Sequence, residues 1–592
     1  MLNKELQVNS DKSYLLKNII LEELNNLLSI IRLFDEDLNE IHIHMLSFKD
    51  KLSKTDKNEY SSSIKQIGAF EPRLELVYKT ARSLFDLVYL YDESGKLRNP
   101  FGMKLRNLED WVTSSKMDPN HGNVEWDILK YLSEKCGVEC EFCLHKSDPP
   151  GYYTNSCKWQ GSICEIEERI NYFNPYQKEA LFSEFTYGSY EKISHPKLFE
   201  ILHKIREKSD APISIITNGG DLKEDIINSL KNYEPISLIV SLNSSSKEVR
   251  LDAMNDITPN YSIQSLELLQ KKQIPFIISL THWYKSSCDD LYSTIEFADS
   301  YCPYIIRINL EGYSKYHPLY RKYDLFSHWN QVVDTVRSIR PRIKTPIVFQ
   351  PVMYEENQYN EEVRPIIKGI IQNSPSYFTD LKTGDEIIKI NNKNVTYRKT
   401  VKNVLRFMEQ NTDRIHLEIK RNNKIIQIEI MKSAEAYPYY HFFHKLGMDY
   451  PWGIVLSDSL DPLAVKAFIK LAGAYNNVLL LSSTLVKPSL EIMYQDLNKK
   501  DFETKVHIAI PKNHFLGEDV IIGDLLTVDD FIRGIREWII ENDLLPDIIV
   551  IPATVFSAWG KDITGKSYRH IQRIIKIPVI LLETDRIWSL GG

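Results

Sequence analysis

The chain has 592 residues, 43% of them hydrophobic and 26% charged, with a formal net charge of −7 at pH 7. That is the balance of an ordinary globular protein with a core of useful size, about three to five domains by length. The absence of a basic stripe speaks against a nucleic-acid binder. No apolar run reaches the roughly 18 residues of a membrane span, and Met1–Tyr14 lacks the apolar stretch of a secretion signal. A cytoplasmic protein with no membrane and no nucleic-acid partner is expected.

Residues 1–125 read as a helical N-terminal region. Leu16, Ile20, Leu24, Leu27 and Ile31 recur at spacings of three and four, and a similar stripe runs from Glu71 to Tyr91. No catalytic motif stands here, so a helical cap or partner-docking module is the simplest reading.

Across 126–352 short apolar runs alternate with helical segments. The runs are Asp127–Leu132, Phe182–Tyr187, Ile213–Ile216, Leu238–Leu242, Phe276–Leu280, Ile305–Ile308 and Ile347–Phe349. Between them lie helices such as Pro196–Lys208, with Leu198, Phe199, Leu202 and Ile205 on one face. This alternation predicts an α/β fold with a parallel sheet, a partial or full (β/α) barrel whose working residues sit at the C-terminal ends of its strands.

A β-rich unit follows at 357–435. A strand is predicted at Ile366–Ile371, a turn at Gly384-Asp385 leading into Ile390, a helix at Val401–Gln410, and a hairpin of His416–Lys420 with Lys424–Ile430. Residues 440–592 return to α/β, with buried strands predicted at Val478–Leu481, Val506–Ile510, Ile548–Ile551 and Val579–Leu582.

The chemistry-bearing motif is Cys136-Gly-Val-Glu-Cys140-Glu-Phe-Cys143, just after the first predicted strand of the α/β region. Seven cysteines, an odd number with three packed together, suit metal ligation in a reducing compartment better than a disulfide framework. Three thiolates on a short loop can grip three irons of a cubane cluster and leave the fourth open, as catalytic metal centres do. Two other readings stay open: a zinc site with His145 as fourth ligand, and three unrelated core thiols. Cys157, Cys164, Cys288 and Cys302 are loosely spaced, and read either as holders of a second cluster or as small buried hydrophobes.

The spacing C-x3-C-x-aromatic-C, with Phe142 as the aromatic residue, resembles the signature of the radical S-adenosylmethionine (SAM) superfamily. The resemblance implies a 4Fe-4S cluster held by Cys136, Cys140 and Cys143, with SAM chelating the open iron. It also implies an electron donor, and a 5′-deoxyadenosyl radical that abstracts hydrogen from substrate. Many members carry Gly-Gly-Glu-Pro on the next strand. This chain instead has Tyr187-Gly-Ser-Tyr-Glu191, followed by His195, which makes Glu191 the candidate there.

Thr217-Asn218-Gly219-Gly220 resembles a Thr-Asn-Gly turn of the family, and is equally readable as a plain strand–helix turn. Val240-Ser-Leu-Asn-Ser, with Arg250 and Met254 beyond it, resembles the segment that contacts SAM. Ser241, Asn243 and Arg250 are therefore candidates, against a strand end whose Ser244–Ser246 cap a helix. His282, Trp283, Arg307, Asn309 and Glu311 stand at further strand ends. Arg307 and Asn309 share one face by the two-residue period, inward or not.

The segments Ile366–Pro375 and Gly384–Asn392 resemble a PDZ domain, though no glycine-rich carboxylate loop precedes the first strand. Peptide capture and intramolecular packing are both open roles. Together with Pro511–Gly517, Val520–Thr527 and Asp529-Asp530, they resemble an uncharacterised radical SAM subgroup with a PDZ-like domain and a C-terminal domain of unknown function. Lys512 and Asn513 there read as a ligand contact or a tight turn. The expected function is a radical SAM enzyme acting on an unidentified substrate, with a peptide or protein favoured by the docking modules. The alternatives are a binding or scaffold protein with a structural zinc or iron–sulfur site, and an iron–sulfur redox protein that does not cleave SAM.

Overall fold

The computed structural model describes residues 136–147, 181–182, 191–361, 363–432, 450–498, 505–556, 562–564 and 566–582. The expected helical region 1–125, the strand at 127–132, most of the strand at 182–187, and Cys157 and Cys164 lie outside the described residues.

Six parallel strands stand side by side in chain order: β1 (Leu181–Phe182), β2 (Ile213–Thr217), β3 (Ile236–Ser241), β4 (Phe276–Thr281), β5 (Ile306–Asn309) and β6 (Ile347–Gln350). Between them run α1 (Leu198–Arg206), α2 (Glu224–Lys231), α3 (Lys247–Met254), α4 (Pro259–Lys271), α5 (Cys288–Asp299) and α6 (Leu325–Ile339). A strand order that never doubles back keeps every crossover on one side. The two-residue period then sorts each strand. Leu238, Val240, Ile278, Leu280, Ile306, Ile308, Ile347 and Phe349 face the helices and share one core with Leu202, Leu266, Ile295 and Val336.

The other, inner face has two zones. Nearer the strand starts it is apolar: Ile239, Ile277, Ile305 and Val348 pack with Ile371, Tyr450 and Val455 from the next unit. Nearer the C-terminal ends it turns polar. Ser241 lies opposite Ser279, which lies opposite Arg307. Thr281 lies opposite Asn309, and Asn309 opposite Gln350.

Helix α7 (Tyr354–Gln358) joins the barrel to the β-rich unit, and its Glu355 and Glu356 are buried. A buried carboxylate needs partners. Arg340 of the barrel meets Glu355 at 2.5 Å, while Lys368 lies 2.6 Å from Glu361 and 3.5 Å from Glu356. Arg398 and Ser457 complete the group around Glu356. These cations hold both glutamates below the usual carboxylate range despite their burial.

The expected strand Ile366–Ile371 is shorter: only β7 (Gly369–Ile370) is regular, with an isolated bridge between Ile366 and Glu386. The unit continues with β8 (Glu386–Ile390), β9 (Lys393–Asn394), α8 (Arg398–Asn411), β10 (Arg414–Arg421) and β11 (Lys424–Met431), in the sheet order β11-β10-β8-β9. Asn422 and Asn423 have φ of 47° and 62°. Two left-handed residues in a two-residue loop make a turn whose twist matches the hairpin. β12 (Ile454–Val455) pairs antiparallel with β7, and this ribbon carries the floor residues into the barrel. Gly369 is required there, because a Cβ on it would sit 2.8 Å from Pro346 Cα.

The last unit contains α9 (Pro462–Ala472), β13 (Asn477–Leu481), α10 (Lys487–Leu497), β14 (Lys505–Ala509), α11 (Val528–Asn542), β15 (Ile548–Pro552), α12 (Arg569–Ile575) and β16 (Val579–Leu582). Its parallel order, β14-β13-β15-β16, doubles back once, so helices cover both faces. Leu490 and Met493 of α10 pack on one side, and Phe531 and Ile535 of α11 on the other. Its loop after β14 also touches the barrel. Lys315 donates its amide to Leu516 O at 2.5 Å, and Arg321 pairs with Glu518 at 3.1 Å. No helix among the described residues is long and apolar enough to cross a membrane.

Candidate functional site

The Cys136–Cys143 loop is not a regular element, so its position depends on what holds its backbone. Glu139 N and Glu141 N donate to Met254 O and Ala253 O, both at 2.8 Å, which pins the loop to the C-terminal turn of α3. Lys146 Nζ donates to Cys140 O at 2.7 Å. Phe142 is buried in the core behind the loop, with Cys136 and Cys140 packed against that core.

The Cys140 thiol is pushed up to about 12, first by burial and then by its neighbours Cys143 and Cys136. Burial likewise raises Cys136, with Glu191 and Asp221 contributing. The protein alone thus keeps these thiols protonated, and a bound cationic metal reverses that balance by deprotonating its ligands. No three His, Cys, Asp or Glu side chains among the described residues converge on one point as ligands of a single ion.

The turn after β2 abuts the loop. Asn218 Nδ2 donates to Cys136 Sγ at 3.1 Å, while its Oδ1 accepts from Gly220 N at 2.7 Å. Thr217 Oγ1 accepts from Gly219 N at 3.0 Å. Gly219 has φ of 80°, and a Cβ there would press on Ser262 at 3.1 Å. Glu191 is fully buried under this turn. Its Oε2 accepts from Asn218 N at 2.7 Å and its Oε1 from Ile193 N at 3.0 Å. Burial still raises its pKa, against the pull of these bonds.

The candidates after β3 separate. Arg250 is fully buried, 2.6 Å from Asp256, and donates to Ser262 Oγ at 2.8 Å and to Leu242 O. Its guanidinium is committed to protein groups. Asn243 has φ of 57°, and its Oδ1 accepts from Thr281 N at 2.9 Å. Ser241 lies on the inner face opposite Ser279. Ser246 caps α3, accepting from Val249 N.

Arg307 and Asn309 face inward. Both donate to Ser279 Oγ at 2.9 Å, and Thr281 Oγ1 donates to Glu311 at 3.2 Å. Arg307 is 4% exposed, and its Nη1 has no partner among the described residues. Burial lifts the Glu311 carboxyl to about 7 and lowers Arg307 to about 10. His282 stacks on His328 at 5.4 Å, and burial pushes it down to about 4, the behaviour of a packed neutral ring. Trp283 is buried against the Lys285 ammonium. Cys288 and Cys302 are exposed.

Sequence reasoning missed the segment after β5. Ser314 Oγ donates to Ser147 O at 2.5 Å, His317 Nε2 lies 3.1 Å from Cys143 O, and Tyr313 stacks on His317 at 4.3 Å. The run of tyrosines at 313, 316, 320 and 323 was the available signal. Asn513 serves as a turn residue, accepting from Leu516 N at 2.8 Å and donating to Leu525 O at 3.1 Å.

Comparison with known families settles the class of this arrangement. Residues 131–298 match the model of the radical SAM superfamily, which spans the cysteine loop and strands β1–β4. The chain carries a radical SAM domain. Its radical SAM domain makes it an enzyme of that class, which implies an iron–sulfur cluster and SAM. Residues 348–431 match a PDZ domain. No curated protein matches the chain.

Among solved structures, Streptococcus suis SuiB aligns at 15% identity over 50% of this chain and 68% of its own, with a TM-score of 0.29. The same protein crystallised with its precursor peptide SuiA gives 14%, 49%, 68% and 0.28. The FeFe-hydrogenase maturase HydG from Carboxydothermus hydrogenoformans aligns at 10% identity over 82% of this chain and 98% of its own, with a TM-score of 0.30.

Proposed function

We propose that this radical SAM enzyme reductively cleaves SAM at a 4Fe-4S cluster held by Cys136, Cys140 and Cys143, and removes hydrogen from a substrate bound on the inner face of the barrel. The observation that carries the reading is the anchored cysteine loop, with Asn218 on Cys136 Sγ, at the C-terminal edge of the parallel sheet. The donor set suits the group: three thiols on one eight-residue stretch of loop can each take a different iron. When bound, the cluster supplies one electron and the chelated SAM supplies the oxidising radical, with the electron drawn from an external donor.

The chain's own residues hold and aim. Phe142 backs the loop, and Glu191 fixes Thr217 and Asn218 beneath Cys136 as a positioning residue. Arg250 keeps the end of β3 and α3 in register, so that Ala253 and Met254 can hold the loop. Ser241 and Asn243 line the approach from β3. On the substrate side, Arg307 Nη1 offers a charged donor inside the barrel, suited to a carboxylate or carbonyl oxygen. The substrate class is a peptide or protein. The PDZ domain supports that choice, since PDZ domains capture peptides by strand addition.

The test is anaerobic reconstitution of the full chain with iron and sulfide, followed by reductant and SAM. Formation of 5′-deoxyadenosine is expected; none from a fully loaded protein would sink the proposal.

A further inference from the structure

Residues 310–324, between β5 and α6, form no helix or strand. An irregular connection of this length is uncommon in a compact unit, and its position depends on what holds its backbone. Two separate parts of the chain hold this one. On one side is the cysteine loop. Leu319 N donates to His317 Nδ1 at 3.0 Å, so the ring proton sits on Nε2, which donates it to Cys143 O at 3.1 Å. Tyr313 stacks on the same ring, and Ser314 Oγ donates to Ser147 O. These contacts fall on Cys143 and the turn Leu144–Ser147, whereas α3 holds Glu139 and Glu141 on either side of Cys140.

On the other side is the C-terminal unit. Lys315 donates its amide to Leu516 O at 2.5 Å and its ammonium to His514 O at 2.9 Å. Two glycines let the backbones approach. A Cβ on Gly312 would sit 2.9 Å from Asp519 O, and one on Gly517 would sit 2.9 Å from the Tyr320 ring. Ile521 ties this contact to both interiors, because it packs against the barrel core and against that of the C-terminal unit. Residues 312–320 are thus fixed by the last unit on one side and fix the third cysteine on the other.

We propose that the C-terminal unit is a brace for the cluster site, and that His317 is the positioning residue through which it fixes Cys143. The placement of two neighbouring ligands is then divided: α3 sets Cys140, and the C-terminal unit, acting through His317, sets Cys143. His317 does this by donating to the peptide carbonyl of Cys143, which fixes the loop's backbone and leaves the thiol to its iron. The role at the cluster rests on the reading of Cys143 as an iron ligand; the holding of the loop does not.

Hydrogen–deuterium exchange of the full chain before cluster loading tests the holding, and iron release to a chelator after anaerobic loading tests its consequence. His317→Phe keeps a ring for Tyr313 and removes the donor. It should speed exchange of the amides at 143–147 about 10-fold, the worth of one lost hydrogen bond. It should also hasten iron release and move the electron paramagnetic resonance g values of the reduced cluster. His317→Gln, which restores a donor, should recover all three. Gly312→Ala, which presses on Asp519 O, should loosen the same amides from the far side while β15 and α11 stay protected; Gly517→Ala serves if Gly312→Ala does not fold. Unchanged exchange in His317→Phe, no recovery in His317→Gln, or a loop still protected in both glycine variants would each overturn the proposal. The expected exchange pattern in a protein that loads no iron would uphold the holding of the loop and sink the cluster reading instead.

Discussion

Asn218 donates its side-chain amide to the sulfur of Cys136, 3.1 Å away, although 82 positions separate them in the chain. A donor aimed at a ligating sulfur stabilises the more negative, reduced state of a cluster. Asn218→Ala should therefore retain iron and lower the cluster's midpoint potential. Potentiometry followed by electron paramagnetic resonance checks it; an unchanged potential would show that the bond has no electronic role.

Single Cys136→Ala, Cys140→Ala and Cys143→Ala variants should fold, because no described cysteine is in a disulfide and the loop is held by backbone bonds. Each should lose most of its iron and its 5′-deoxyadenosine production. Circular dichroism and iron and sulfide assays separate cluster loss from unfolding.

Arg250→Met leaves Asp256 buried without its partner. Breaking such a pair costs about 3–5 kcal/mol. The midpoint in denaturant should fall accordingly, and cluster loading should fall with it, since α3 anchors the cysteine loop. The double variant Arg250→Met with Asp256→Leu should recover part of the stability. Equal losses in both variants would mean that the pair itself is not the cause.

Glu355 and Glu356 have folded pKa values below their unfolded ones, Glu356 by enough to reach about 2. A depressed carboxylate contributes stability that is complete above the unfolded value, about 4.3, and is lost as pH falls towards the folded one. Stability should thus drop between about pH 4 and 2. Glu356→Gln should show a shallower acid limb over that range at the cost of a lower plateau at neutral pH. Acid titrations followed by tryptophan fluorescence would reveal it.

Gly369→Ala places a methyl group against the Pro346 backbone. Overpacking of this kind costs about 1–3 kcal/mol. The expected result is a lower Tm with enhanced proteolysis near β7 and β12, while cluster loading measured at low temperature is retained.

Much of the fold was legible because each strand carries its own pattern. Ile278, Leu280, Ile306 and Ile308 alternate with polar or floor residues, and Asn422-Asn423 marks a two-residue turn. The cysteine loop was legible as a motif whose spacing is itself chemistry. What lay hidden depends on distant parts of the chain. Position alone does not show that Arg250, a candidate by resemblance, is held by Asp256, Ser262 and Leu242 O. Ile366–Ile371 read as one strand because its apolar run serves two jobs, pairing at Gly369–Ile370 and filling the barrel with Ile371. The strap from Tyr313 to Tyr323 carries a run of tyrosines but no catalytic motif, and its landing on Cys143 O and Ser147 O is seen only in the fold.

The floor formed by Ile371, Tyr450 and Val455 makes the barrel blind at one end. Among the described residues the inner face is thus closed off at the strand starts, and its polar zone lies towards the strands' C-terminal ends. The segment that leaves this end after β5 carries Lys315 and Arg321, on which the loop of Leu516 and Glu518 leans. The terminal unit thereby buttresses the segment whose His317 reaches Cys143 O.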